Sequence, residues 1–222
     1  MVKRRDQTGM TLIELVIALA VVSAMIATAT FGIAEWGKDQ RLKTSARAVS
    51  DAFMLGRTEA IRTGNSHLVV FGSGVLANAD ADIVIVDDDR PDIADCSIAS
   101  SEIVHRVNLE NGVTWGTTAS LAGTTVAPDD SGLAVGNTQN GSSFTTAALD
   151  PNTPASWVVF QPDGVPLLFT TNGSDCTQLG LRGEGGGAIY VTNGRRDYAI
   201  VLAPLGTSRV LGWNPSSSNW MN

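Results

Sequence analysis

Near its N-terminus the chain reads Lys3-Arg4-Arg5-Asp6-Gln7-Thr8-Gly9-Met10-Thr11-Leu12-Ile13-Glu14-Leu15, and everything downstream is read from this stretch. From Leu15 to Ala34 there follow 20 residues without a charge. A helix rising about 1.5 Å per residue over such a run spans the ~30 Å hydrocarbon core of a bilayer. The three cations ahead of it predict a cytoplasmic N-terminus and a translocated remainder. A cleaved secretory signal is the plainer alternative. It fits poorly: a signal core is roughly 7–15 residues long, and here the helical pattern runs straight on past Ala27-Thr28-Ala29, which has the composition of a cleavage site.

Glu14 is the anomaly in this stretch. An ionised carboxylate in lipid costs several kcal/mol and calls for a partner at the same depth. Cleavage after Gly9 creates one, the new α-amine of Met10. Residues i and i+4 share a helix face about 6 Å apart along the axis. The amine of one subunit can therefore pair with Glu14 of the next, as helices stack side by side, and the glutamate then sets docking and register.

Charge divides the chain further. Residues 35–66 hold six basic and four acidic residues, whereas residues 67–222 hold six basic and sixteen acidic. The net charge of −7 argues against a protein that grips nucleic acid by neutralising phosphates. With two Cys and two His, zinc-finger and iron–sulfur architectures are excluded. Apolar residues at 43% supply a core, and the low charge and high glycine content favour a loop-rich β domain.

Between Gly37 and Arg62, the residues Leu42, Ala46, Val49, Ala52, Phe53, Gly56 and Ala60 recur at spacings of three and four and predict one buried helical stripe. Gly64-Asn65 is its stop signal. Beyond it, strands are predicted at 67–71, 82–86, 103–107, 112–115, 157–160, 166–170, 187–192, 197–203 and 208–213, from their Val, Ile and aromatic content between Gly, Asn, Asp and Pro. Asn193-Gly194 marks a hairpin. Residues 116–156 read as a long surface loop. The pattern predicts an α+β domain with the second half of the helix against a sheet.

The basic leader, the Gly before the cut, Thr11-Leu12-Ile13-Glu14-Leu15 after it and the apolar run together resemble the class III leader of type IV prepilins and type II secretion pseudopilins. Met10 stands where that family most often has Phe. The passages Gly56-Arg57-Thr58-Glu59-Ala60-Ile61-Arg62-Thr63-Gly64-Asn65, Trp157-Val158-Val159-Phe160-Gln161-Pro162-Asp163-Gly164 and Tyr198 to Leu211 resemble the GspH/FimT subfamily of minor pilins and pseudopilins, with Gly206-Thr207-Ser208-Arg209 in place of the usual Gly-Arg. The resemblance covers residues 3–71 closely and 156–213 loosely, and the stretch from about 72 to 155 reads as a variable insertion.

What this resemblance implies is a type IV pilin-like α+β fold, with a long N-terminal helix, its apolar half membrane-spanning, packed on an antiparallel β-sheet head. The implied organisation is a leader at 1–9, a transmembrane or filament-core half at 10–36, an amphipathic half at 37–64 and a β-rich head at 65–222. Prepilin peptidase would cut between Gly9 and Met10 and methylate the Met10 amine, and Glu14 would dock the subunit. Expected partners are other minor and major pilins, a tip adhesin-like protein, prepilin peptidase and the inner-membrane assembly platform. The expected location is the inner membrane, single pass with a cytoplasmic N-terminus, then the periplasm or the extracellular pilus. The expected function is that of a minor pilin priming assembly and sitting in the tip complex. A type II secretion pseudopilin is the alternative, and a DNA-uptake pilin is disfavoured by the acidic head.

Other chemistry is sparse. No G-x-S-x-G, H-E-x-x-H or P-loop motif occurs. His67 and His105 have no neighbouring nucleophile and read as structural, so no catalytic residue and no enzyme activity is expected. Gly183-Glu184-Gly185-Gly186-Gly187 precedes a strand rather than a helix and reads as a turn. Cys96 and Cys176 belong to no metal-binding spacing. In an oxidising compartment a mutual disulfide is expected, worth about 4 kcal/mol for a loop this long, with two buried thiols as the alternative. Asp87, Asp88, Asp89, Asp92 and Asp95 crowd five carboxylates into nine residues. Such oxygen-rich clusters suit Ca²⁺. The EF-hand template fails, however, with Pro91, Asp92 and Ile98 at its fifth, sixth and twelfth positions, so a solvated acidic loop is preferred to a Ca²⁺ site and no cofactor is expected.

Overall fold

A computed structural model of the chain describes residues 11–72, 81–88, 102–118, 127, 141–144, 156–167, 169–172, 175–179, 182 and 185–221, the side chains of 28–34, 169–172 and 175–179 excepted. Helix α1 runs from Leu12 to Thr63. It begins as the sequence chemistry dictates. Thr11 is the N-cap: its hydroxyl accepts from the Glu14 N–H at 3.4 Å and its carbonyl from the Leu15 N–H at 3.2 Å, while Glu14 supplies the acidic third position of a capping box. The helix ends at Gly64, whose φ of +78° closes a left-handed cap with its N–H 3.0 Å from the Ala60 carbonyl.

The chain forms two compact units, Met1–Asp39 and Gln40–Asn222. Within the second unit the strands are β1 (Ser66–Phe71), β2 (Ile83–Asp88), β3 (Ile103–Val107), β4 (Thr114–Trp115), β5 (Trp157–Phe160), β6 (Pro166–Leu167), β7 (Phe169–Asn172), β8 (Asp175–Leu179), β9 (Gly187–Thr192), β10 (Asp197–Leu202), β11 (Ser208–Asn214) and β12 (Asn219–Met221). They form two five-stranded sheets, ordered β3-β2-β1-β5-β6 and β12-β11-β10-β9-β4, and the hairpin β7-β8. All the paired strands are antiparallel. The head therefore carries two main sheets where one was expected.

The predicted stripe is the core face of the helix. Leu42, Ala46, Val49, Ala52, Phe53 and Ala60 are all at most 1% exposed and cluster with Val69, Phe71, Ile83, Ile85, Val158 and Phe160 of the first sheet and Ile189, Val191, Ile200 and Leu202 of the second. Gly56 belongs to the same face because a Cβ there would sit 2.5 Å from Val69 Cγ2. The opposite faces of the two sheets are buried as well, around Leu68, Val70, Val84 and Val159 on one and around Ala188, Tyr190, Ala199 and Trp220 on the other. Burial on both faces explains why β1, β2 and β9 read as continuous apolar runs rather than alternating ones.

The stretch from 72 to 155, expected as an insertion, supplies β2, β3 and β4 to the two sheets. The expected surface loop 116–156 is also pinned at its described positions. Phe144 is 1% exposed and lies between the rings of Phe53 and Phe71, with centroids 6.0 and 5.5 Å away. Ser143 exchanges bonds with Ala188, N–H to carbonyl at 2.9 Å and N–H to hydroxyl at 2.8 Å, and the Tyr190 hydroxyl accepts from the Ala127 N–H at 3.1 Å.

Candidate functional site

The first unit presents apolar surface. Ten large apolar side chains from Leu12 to Ile26 keep 50% or more of their surface exposed, and every residue from Thr11 to Ala27 is exposed. A helix apolar on all its faces is ordinarily covered, by lipid or by other helices. Among the described residues no helix is long and apolar enough to cross a membrane; the side chains at 28–34, which complete the uncharged run, lie outside that description. Glu14 is exposed in the first turn of α1, where a carboxylate also favours the positive end of the helix dipole. Gly9 and Met10 lie outside the described residues.

In the second unit, three passages far apart in sequence meet around Arg57. Its Nη1 donates to the Gly206 carbonyl at 3.2 Å. Gly206 turns the chain between β10 and β11 with φ +82° and its N–H 2.8 Å from the Ala203 carbonyl. Gly164 turns it between β5 and β6 with φ +77° and its N–H 2.7 Å from the Gln161 carbonyl. The two turns touch. A Cβ on Gly206 would lie 2.7 Å from the Gly164 carbonyl oxygen and 3.3 Å from Arg57 Nε, and one on Gly164 would lie 2.8 Å from Ile61 Cδ1 and 3.0 Å from Arg57 Nε. Ser50 and Ser208 add a hydroxyl–hydroxyl bond at 2.7 Å between the helix and β11. Because one turn belongs to each main sheet, Arg57 joins the helix to both. In the sequence Arg57, Gly164 and Gly206 stand in separate passages that no local pattern links. The signal was a polar residue flanked by the buried positions Gly56 and Ala60.

Charged groups gather where the helix ends. Arg62 Nε donates to Glu59 at 2.9 Å, and this bond, with the nearby Arg62 charge, holds the Glu59 carboxyl below its ordinary value against the opposing effect of desolvation. His105 Nε2 lies 3.8 Å from Glu59, and the fully buried His67 lies 3.8 Å from Asp87. Asp87 also accepts from Asn65 Nδ2 at 3.1 Å. Both histidines thus face carboxylates, His105 that of Glu59 on the helix and His67 that of Asp87 on the neighbouring strand. Of the acidic run, Asp87 and Asp88 form the end of β2, while Asp89, Asp92 and Asp95 lie outside the described residues. Among the described residues no group of three His, Cys, Asp or Glu side chains could hold a metal ion. Cys96 lies outside the described residues, and Cys176 falls on β8, whose side chains do too.

Residues 4–30 match the family model described as the prokaryotic N-terminal methylation motif. The chain thus carries a type IV pilin-like leader of the class III kind over those residues. No curated protein and no solved structure matches it.

Proposed function

We propose that the chain is a minor pilin of a type IV pilus, of the GspH/FimT kind, that primes assembly and forms part of the tip complex. The methylation motif at residues 4–30 carries this reading. The apolar, exposed helix from Leu12 to Ile26 supports it, since such a surface needs either a bilayer or neighbouring helices. The meeting of Gly56-Arg57, Gly164 and Gly206 supports the subfamily, because these residues carry the resemblance and share one structural task.

In this reading prepilin peptidase cuts after Gly9 and methylates Met10. The helix then holds the subunit in the inner membrane as a single pass, with the head outside the cytoplasm. The assembly platform extracts it into the filament, where Glu14 pairs with a neighbour's Met10 amine. Cys96 and Cys176 form a disulfide in the oxidising compartment. The work is mechanical and uses neither a metal nor a catalytic residue.

Mass spectrometry of the chain recovered from membranes and from sheared surface filaments tests this. The expected result is an N-terminal N-methyl-Met10 in both fractions, with the chain crosslinked to other pilin subunits in the filaments. A chain processed in membranes but absent from sheared pili, and recovered with secretion-envelope proteins, would replace the pilus by a type II secretion pseudopilus. An intact leader in cells with active peptidase would overturn both.

A further inference from the structure

Two Asn-Gly pairs of the second unit have described side chains, Asn111-Gly112 and Asn193-Gly194. Their glycines are nearly alike, with φ +86° and +80° and nothing within 4 Å of an added Cβ. Their hydrogen bonding differs. Asn193 is half-buried, and its Oδ1 accepts from the N–H groups of Arg195 and Arg196 at 3.0 and 2.9 Å. The Gly194 N–H donates to Thr192 Oγ1 at 3.0 Å. Asn111 and Gly112 are exposed, at the centre of a turn closed by the Val113 N–H on the Glu110 carbonyl at 3.0 Å. Among the described residues, neither the Asn111 side chain nor the Gly112 N–H has a hydrogen-bond partner.

We infer that Asn111 is a site of spontaneous covalent modification, deamidation through a succinimide, and that Asn193 is protected from it by its hydrogen bonds. The Gly112 nitrogen loses its proton and attacks Asn111 Cγ. The N–Cγ bond forms, the Cγ–Nδ2 bond breaks, and ammonia leaves. Water then opens either ring C–N bond, leaving an aspartyl or an isoaspartyl residue at position 111. The balance is water in and ammonia out, with no oxidant or other reactant. The attack needs the side-chain carbon to reach the next backbone nitrogen, and glycine there leaves the approach unhindered and the backbone free to turn. At Asn111 at most the turn bond must open first. At Asn193 three bonds must open, and the two extra ones make the reactive arrangement rarer by about tenfold or more. The isoaspartyl form adds a methylene to the main chain and a negative charge, in a turn that is held on both sides. The Glu110 N–H donates to Ser45 Oγ of α1 at 2.9 Å. Beyond the buried Val113, Thr114 and Trp115 pair with Thr192 and Val191 of β9. A longer turn pulls on these anchors, so the modification loosens the joint between the helix and the second sheet as the chain ages.

The test incubates the full chain in non-ionic detergent at mildly alkaline pH and follows the peptides that hold positions 111 and 193 by mass spectrometry. Fragmentation that tells isoaspartyl from aspartyl residues reads the product. Conversion at Asn111 is expected to run about tenfold or more faster than at Asn193, and the two rates should converge when the chain is unfolded in urea. Thr192→Val removes the acceptor of the Gly194 N–H. It should speed conversion at Asn193 several-fold and leave Asn111 unchanged, with circular dichroism to show that the variant is folded. The aged chain should unfold at a lower urea concentration than the fresh one. Asn111→Asp, which adds the charge without the methylene, should keep the fresh midpoint, and Asn111→Gln should lose the effect of ageing. An Asn111 that stays intact in the folded chain, equal rates at the two positions, or a difference that persists in urea would overturn the inference. So would the same loss of stability on ageing in Asn111→Gln. The reaction involves no other subunit, so it is measurable whether or not the pilin reading holds, and an unreactive Asn111 leaves that reading standing.

Discussion

Gly194 and Gly206 have nearly the same backbone, φ +80° and +82°, but different surroundings. Around Gly194 nothing lies within 4 Å of an added Cβ, whereas at Gly206 the Gly164 carbonyl oxygen would be 2.7 Å away, with Arg57 Nε and Pro166 Cδ each at 3.3 Å. Alanine at either position incurs the left-handed backbone cost, about 1–2 kcal/mol. At Gly206 it must also push apart two turns that belong to different sheets, and overpacking of this kind adds roughly 1–3 kcal/mol. If the displaced turn also gives up the Arg57 bond to the Gly206 carbonyl, a further ~0.5–1.5 kcal/mol is lost. Gly206→Ala is therefore expected to cost about 2–5 kcal/mol with the Arg57 bond kept, and up to about 6 kcal/mol with it lost, against about 1–2 kcal/mol for Gly194→Ala. For a unit of this size the excess corresponds to several degrees in Tm. Urea unfolding of the full chain in detergent, with the slope unchanged between variants, measures the difference. Equal losses at the two positions would refute the steric junction and leave only the backbone cost that they share.

Phe144→Ala removes a fully buried ring packed on Phe53 and Phe71 and should cost about 3–5 kcal/mol in the same assay. A loss under about 1 kcal/mol would show that the segment around it is not part of the core. The Glu59 carboxyl is held below its ordinary value of 4.5, first by its bond from Arg62, so its contribution is complete above about that pH and fades as pH falls through the lower folded value. Glu59→Gln should therefore be less stable than the parent near neutrality and converge with it in acid; a gap that widens on acidification would reverse the sign. Peptide mapping of the chain from the cell envelope, with and without reductant, should recover Cys96 and Cys176 in one linked peptide, and free labelling of both thiols would remove the disulfide.

Helix α1 was legible because its stripe repeats at three and four and its ends carry cap chemistry at Thr11 and Gly64, both local signals. Most strands were legible for the same reason: β3, β5 and β9 have the predicted bounds, and Asn193-Gly194 turns a hairpin. That turn is wider than an Asn-Gly two-residue loop, since Thr192 pairs with Asp197 and Asn193 Oδ1 accepts from the N–H groups of Arg195 and Arg196 at 3.0 and 2.9 Å. What escaped depends on distant partners. The short edge strand β12 owes its place to Trp220, stacked on Trp213 and Tyr190 with centroids 5.3 and 5.7 Å away. The strand β8 has the polar sequence Asp-Cys-Thr-Gln-Leu, with little β propensity, and exists as the partner of β7. Phe144 sits in a Ser/Thr/Ala/Gly stretch with no period, so only its ring could have hinted at burial. The Arg57 junction joins the helix to turns more than a hundred residues away, which no local pattern encodes.

The apolar half of the helix poses the remaining physical question, and Glu14 answers part of it. Full burial of a Leu, Ile or Val is worth about 1.5–3 kcal/mol, so covering ten half-exposed side chains is worth on the order of 10 kcal/mol. A buried unpaired carboxylate costs several kcal/mol. Burial therefore wins even with Glu14 unpaired, and anchoring by itself does not require the glutamate. Its value must lie in the direction of docking, which gives opposite predictions for one substitution. If Glu14 only caps the helix, Glu14→Leu should hold the membrane more firmly and still enter filaments. If it pairs with the Met10 amine of a neighbour, Glu14→Leu should be cleaved after Gly9 and retained in the membrane, yet be missing from sheared filaments. Quantifying the processed chain in the two fractions separates the outcomes, and normal incorporation of Glu14→Leu would refute the pairing.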